Sequence, residues 1–89
     1  MRREQRDQTM QYLNLPRPIA VEADRGWPLA LQDAQGAMAP VEVVDRWVID
    51  EEWWREPIVR HYFAVVTDDG VRTTIFRDAV TDRWYAQEY

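Results

Sequence analysis

The chain has no cysteine and a single histidine, His61, in 89 residues. One copy therefore has neither a disulfide nor a zinc site to brace it. A domain this short buries only about 60–65% of its unfolded surface, so its core is thin. Large side chains have to compensate. Five Trp, four Tyr and two Phe are available, and a buried aromatic removes roughly 150–250 Å² from water. The size fits one domain.

The apolar pattern has a period of two, which is the strand period. Residues 1–16 read as a polar N-terminal arm, closed off by Pro16 and Pro18, which favour extended chain. Residues 17–89 read as one small antiparallel β domain. Strands are expected over 19–22, 29–32, 41–49, 59–67 and 71–77, with a sixth over 83–87. In the third, Val41, Val43, Trp47 and Ile49 are expected on one face, broken only by Asp45, and Trp47 reads as core. Turns are expected at Asp24-Arg25-Gly26, Ala34-Gln35-Gly36-Ala37 and Asp69-Gly70. Residues 50–57 read as an irregular connection that presents Trp53 and Trp54. Short strands and tight turns predict a mainly β meander of five to six strands. It is expected to curl into a half-open barrel, because a flat sheet would leave one face bare and both edges exposed.

A two-residue turn at Asp69-Gly70 would fix the register. It pairs Phe63 with Phe76 and Tyr62 with Arg77. A four-residue loop over 79–82 then pairs Arg77 with Trp84 and Phe76 with Tyr85. Phe63, Phe76 and Tyr85 become one row, and Tyr62, Arg77 and Trp84 the row on the opposite face. The second row holds a guanidinium between two rings, worth roughly 0.5–2 kcal/mol. A slip of one residue would destroy both rows.

Catalytic constellations are sparse. With no Cys, Lys or Ser in the chain, thiol, Schiff-base and Ser-triad chemistry are absent, and so is a P-loop. His61 is the one side chain suited to general-base work near neutrality. The same register sets it beside Asp78, but no nucleophile or oxyanion site accompanies the pair. The acidic groups Asp50-Glu51-Glu52, Asp68-Asp69 and Asp78 with Asp82 are explained by turns without a metal. Neither enzyme activity nor a cofactor is expected.

The net charge is −5, which disfavours non-specific nucleic-acid binding. All eleven basic residues are Arg. The ordinary reading is a GC-rich genome; the sharper one is that Arg stacks on rings and grips carboxylates or phosphates. No apolar run is long enough to cross a bilayer, and no hydrophobic stretch follows the charged start of the chain. The expected setting is a bacterial cytoplasm. In the arm, Gln11-Tyr12-Leu13-Asn14-Leu15 resembles the Gln-then-Leu peptides that bind bacterial sliding clamps. Asn14 stands where a large apolar residue belongs, so packing back onto the sheet is the favoured reading.

Adjacent strand residues point to opposite faces, so Trp53 and Trp54 cannot both enter one core unless the chain bends. Read functionally, one ring is an exposed anchor; read structurally, one fills the core and the other covers it. The candidate surface is thus Trp53, Trp54, Tyr62, Arg77 and Trp84, with protein as the favoured partner. The alternative is a single-stranded nucleic-acid binder, in which Arg60, Arg72, Arg77 and Arg83 would have to converge. An unpaired edge strand also leaves a homodimer open.

Several pieces occur in a familiar order. They are the Trp47 strand, Trp53-Trp54, Arg60-x-Tyr62, Asp69-Gly70, Ile75-Phe76-Arg77-Asp78 and Trp84-Tyr85. Over Pro18 to Tyr89 the chain resembles the small domain at the C-terminal end of ImuB-type proteins, which also occurs as stand-alone bacterial proteins. ImuB proteins are similar to Y-family DNA polymerases and serve damage-induced mutagenesis. The resemblance implies an accessory, non-catalytic role in DNA repair or translesion synthesis that needs a partner. It carries over no site residue.

Overall fold

The computed structural model describes residues 15–53 and 56–87, with the side chains of residues 52, 53 and 56 outside that description. The arm's sliding-clamp-like residues 11–14, the Trp54 position and the Trp53 side chain therefore lie outside the described residues.

Among the described residues seven strands form one antiparallel sheet. They are β1 (Arg17–Pro18), β2 (Val21–Asp24), β3 (Trp27–Gln32), β4 (Met38–Trp53), β5 (Glu56–Thr67), β6 (Arg72–Asp78) and β7 (Arg83–Gln87). Their order is β1-β7-β6-β5-β4-β3-β2. The expected class, a mainly β antiparallel meander curled into a half-barrel, is what is found, with one strand more than expected. The curl is visible in the path of a single segment. Residues 17–24 pair with β7 at one end, Arg17 opposite Ala86, and with β3 at the other, Val21 opposite Leu31. Between them Ile19 donates its N–H to Trp84 O and Ala20 O accepts from Gln32 N–H. One stretch of chain thus touches both ends of the sheet.

The turns explain the register. Arg25 (φ 54°) and Gly26 (φ 80°) are both left-handed, with Asp24 opposite Trp27. That is the two-residue primed turn. Asp69 has no positive φ, whereas Gly70 does, at 87°. Thr67 pairs backbone N–H to Val71 O, and Gly70 N–H returns to Thr67 O. The loop therefore has three residues, Asp68-Asp69-Gly70, with Gly70 as the left-handed bulge residue. This moves the β5–β6 register by one residue from expectation. Phe63 faces Ile75, Tyr62 faces Phe76, and His61 faces Arg77. The next loop is as expected: Asp78 faces Arg83, and its carboxylate accepts the N–H groups of Val80 and Thr81.

A second correction concerns β4. Val43 faces Val65, but Asp45, two residues on, faces Ala64, so a bulge sits at Val44. The extra residue reverses the alternation. Val41 and Val43 point inward, while Trp47 and Ile49 point outward, so the four do not share a face. Nor is 50–57 an irregular connection. The strands stay paired to Trp53 opposite Glu56.

The inner core comprises Leu31, Phe63, Val65, Ile75 and Ala86, with Ile19, Val21, Val41, Val43 and Trp84 packed around it. The other face also buries side chains: Tyr62 is 4% exposed and Phe76 1%.

The Asp68-Asp69-Gly70 turn supports a titration. The Thr67 hydroxyl donates to the Asp69 carboxylate, and this bond, aided by the backbone of Val71, holds the Asp69 carboxyl below its ordinary value. A carboxyl lowered in the folded state stabilises the fold above its unfolded pKa. That contribution is lost as pH falls through the folded value. In a carboxyl carbon NMR titration, Asp69 is expected to titrate below the ordinary aspartate value. Thr67→Val is expected to move it back up; an unmoved midpoint would remove the hydroxyl as the cause.

Candidate interaction surface

The corrected register rebuilds the Arg and aromatic positions into two clusters, one on each face. On the outer face, four rings cross four strands. Trp47 stacks on Tyr62 at 5.4 Å and 7°. Tyr62 meets Phe76 at 4.9 Å, and Phe76 meets Tyr85 at 5.1 Å. Each such pair is worth about 0.5–1.5 kcal/mol beyond burial. The Arg60 guanidinium lies 4.6 Å from the Phe76 ring centroid. Its Nη1 donates to Tyr62 Oη at 3.3 Å, and that hydroxyl donates to Gln87 Oε1 at 3.1 Å. Arg60 Nε is buried with no hydrogen-bond partner among the described residues. Trp47, at the β4 end of the row, remains 37% exposed.

On the inner face, Phe63 is flanked by Trp27 and Trp84, each with ring centroids 5.7 Å away. Arg46 lies 5.9 Å over the Trp27 ring. Arg77 bonds Asp82 at 3.1 Å. A Cβ on Gly26 would sit 3.6 Å from Arg77 Nε, so the Arg25-Gly26 turn lies directly over this guanidinium. A shallow cleft of about 350 Å³ is lined there by Arg25, Gly26, Arg77, Asp82 and Trp84 among others.

The expected stack of Tyr62, Arg77 and Trp84 is therefore not formed. Tyr62 is on the outer face; Arg77 and Trp84 are on the inner one, opposite each other. Trp84 packs on the core, and Trp47, expected as core, is half-exposed outside. His61 stands beside Arg77 rather than Asp78. Nor do the four arginines converge. Arg60 and Arg83 flank Asp78 on the outer face, Arg77 points the other way, and Arg72 lies six residues along β6 from Asp78, about 20 Å. Trp27 and Arg46 were absent from the sequence reading. Their signal was the Arg25-Gly26 turn, which swings the start of β3 over Phe63.

No protein-family model, no curated protein and no solved structure matches this chain.

Among the described residues the fold leaves a long strand edge open on β4. β4 pairs with β3 only through Met38, Ala39 and Pro40. From Val41 to Trp53 its sole partner among the described residues is β5. Beyond Ile49 the ribbon also leaves β6 behind, since β5–β6 pairing begins at Arg60 opposite Asp78. Along this edge Val44, Trp47 and Val48 are exposed apolar side chains, Val48 at 51%. Leu29 and Trp27 are exposed on the neighbouring β3. At the opposite end of the curl, a groove of about 780 Å³ is lined by Arg17, Ile19, Asp33, Asp68, Asp69 and Thr73 among others. No group of three potential metal ligands occurs among the described residues. No helix of the described residues is long and apolar enough to cross a membrane.

Proposed function

We propose that this domain is a non-catalytic protein-interaction module whose working surface is the β4 side of the β4–β5 ribbon. The observation that carries the reading is the β4 edge from Val41 to Trp53, which is open among the described residues and bordered by Val44, Trp47 and Val48. An unpaired edge with exposed apolar neighbours is costly to leave bare, and proteins use such edges to pair with other chains. Trp53 and Trp54 fall at the end of the same ribbon in sequence, which keeps them in the candidate surface. The resemblance to the C-terminal domain of ImuB-type proteins makes damage-tolerance proteins the partners to try first.

A photo-reactive benzoylphenylalanine at position 48 tests the reading, with one at exposed Val71 as the control. Purified sliding clamp and mutagenesis polymerases serve as baits. A cross-link from position 48 and none from position 71 is the expected result. Equal cross-linking from both positions, or none to any bait, would remove the support.

The second reading, a single-stranded nucleic-acid platform, is favoured by one observation only. Arg25, Arg46 and Arg77 gather near Trp27 and Trp84 on the inner face. Saturable binding of a labelled oligonucleotide at low salt, abolished by Trp27→Ala, would transfer the proposal to that face.

A further inference from the structure

We infer that the β4 edge takes a basic, extended partner segment as an added antiparallel strand, with its contacts centred on Asp45 to Glu51. This inference rests on the interaction-module reading above and names the chemistry of the partner.

The backbone comes first. Two residues connect Trp53 to Glu56, so that pair closes the hairpin as a hydrogen-bonded one. Strict alternation then assigns Glu51, Ile49, Trp47 and Asp45 to bonds with β5. The N–H and C=O groups of Arg46, Val48 and Asp50 consequently point to the open side. An independent contact agrees: Arg46 N–H is held by its neighbour's carboxylate, Asp45 Oδ1, at 2.8 Å. The open side therefore presents Val48 and Asp50 as a ready ladder, with Arg46 capped by a group that an incoming strand can displace.

The side chains come second. On the outer face β4 reads Asp45, Trp47, Ile49, Glu51, with acids at both ends and apolar residues between. The span is seven residues, about 20 Å from first to last. A partner strand matches it with two apolar residues flanked by basic ones on the same face.

Charge selects the occupant. From Val41 to Trp53 there are five acids, Glu42, Asp45, Asp50, Glu51 and Glu52, against one base, Arg46. Pairing β4 with β4 of a second copy sets two net charges of −4 side by side, whereas a basic strand neutralises the edge. The same charges repel a phosphate backbone.

The test uses the whole chain, labelled with ¹⁵N, and a capped heptapeptide of sequence lysine-threonine-valine-threonine-valine-threonine-lysine. Laid antiparallel, its lysines oppose Asp45 and Glu51, its valines oppose Trp47 and Ile49, and its threonine amides meet Arg46, Val48 and Asp50. Saturable amide shifts confined to residues 41–53 are expected at about 50 mM salt, with a Kd below about 1 mM. Amide exchange at Val48 and Asp50 is expected to slow. A glutamate-for-lysine peptide, and one N-methylated at its threonines, are each expected to bind at least about tenfold more weakly, which is 1.4 kcal/mol. Val48→Pro removes an N–H that β5 does not use, so the fold is expected to survive with the same tenfold loss.

Equal binding by the N-methylated peptide would overturn strand addition and leave the interaction reading intact. A concentration-dependent dimer that Val48→Pro dissolves would also overturn it, making a second copy the occupant. Failure of every peptide, with position 48 still cross-linking a bait, would overturn the basic-strand chemistry alone. Failure of both would remove the interaction reading as well.

Discussion

Phe76→Ala is expected to cost about 3–5 kcal/mol, the usual price of emptying a buried aromatic site. Phe76 is 1% exposed. It lies in the outer row between Tyr62 and Tyr85, beneath the Arg60 guanidinium. Removing the ring breaks two aromatic contacts and takes the Phe76 ring away from the Arg60 guanidinium. Arg60 Nε is buried without a hydrogen-bond partner among the described residues, so the variant leaves this group over a void. A chain of 89 residues has a total stability of about 4–13 kcal/mol. At roughly 4–8 °C per kcal/mol, the melting temperature is expected to fall by more than about 12 °C. Calorimetry or urea unfolding measures this directly. A loss under about 1 kcal/mol would mean that the outer ring row is surface covering and not a second core.

The neighbouring residue tests the other face. Ile75 is wholly buried between Phe63 and Ala86 in the inner core. Ile75→Asp loses the packing, about 2–5 kcal/mol by analogy with truncation to Ala. It also places a carboxylate where no cation from the core can reach it. Together these rival the whole stability of the domain. No cooperative thermal transition is expected at neutral pH, with circular dichroism as the readout. Burial raises a carboxyl's pKa, so destabilisation grows as pH rises above the unfolded value and is least in acid. A variant that melts within a few degrees of the parent at pH 7 would contradict the inner-face assignment.

These two substitutions occupy adjacent positions on opposite faces, which is where the sequence was hardest to read. Strand identity was accessible because period-two patterns and glycine turns are local signals. The seventh strand escaped because β1 has only two residues, Arg17 and Pro18, and is defined by a distant partner. Register failed for a local reason. Asp-Gly suits both a two-residue primed turn and the end of a three-residue loop, and the choice rests on whether Asp69 takes positive φ. Here Thr67 holds the Asp69 carboxylate, Asp69 stays at negative φ, and every pairing of β6 with β5 shifts by one, while β6 keeps its expected register with β7. The reversal in β4 left a trace in the sequence. Two valines in succession, Val43 and Val44, followed by Asp45, break the alternation where the bulge lies.

The candidate surface divides in the same way. The expected pairing of Arg77 with Trp84 holds, but Tyr62 faces Phe76 and lies on the other face. The inner cluster of Trp27, Arg46 and Trp84 was invisible because Trp27 reaches Phe63 only through the curl of the sheet. An open edge is harder still to foresee, since it is defined by the pairing that β3 fails to continue.

The segment that touches both ends of the sheet has a kinetic consequence. β4 through β7 are successive hairpins that form from near neighbours, whereas joining Arg17 to Ala86 closes a loop of most of the chain. Loop-closure entropy makes that the late event in folding. Among the described residues, Arg17 and Pro18, helped by the Ile19 N–H, bind β7. The half-barrel thus has a seam, and the seam is where the native molecule opens first and most cheaply.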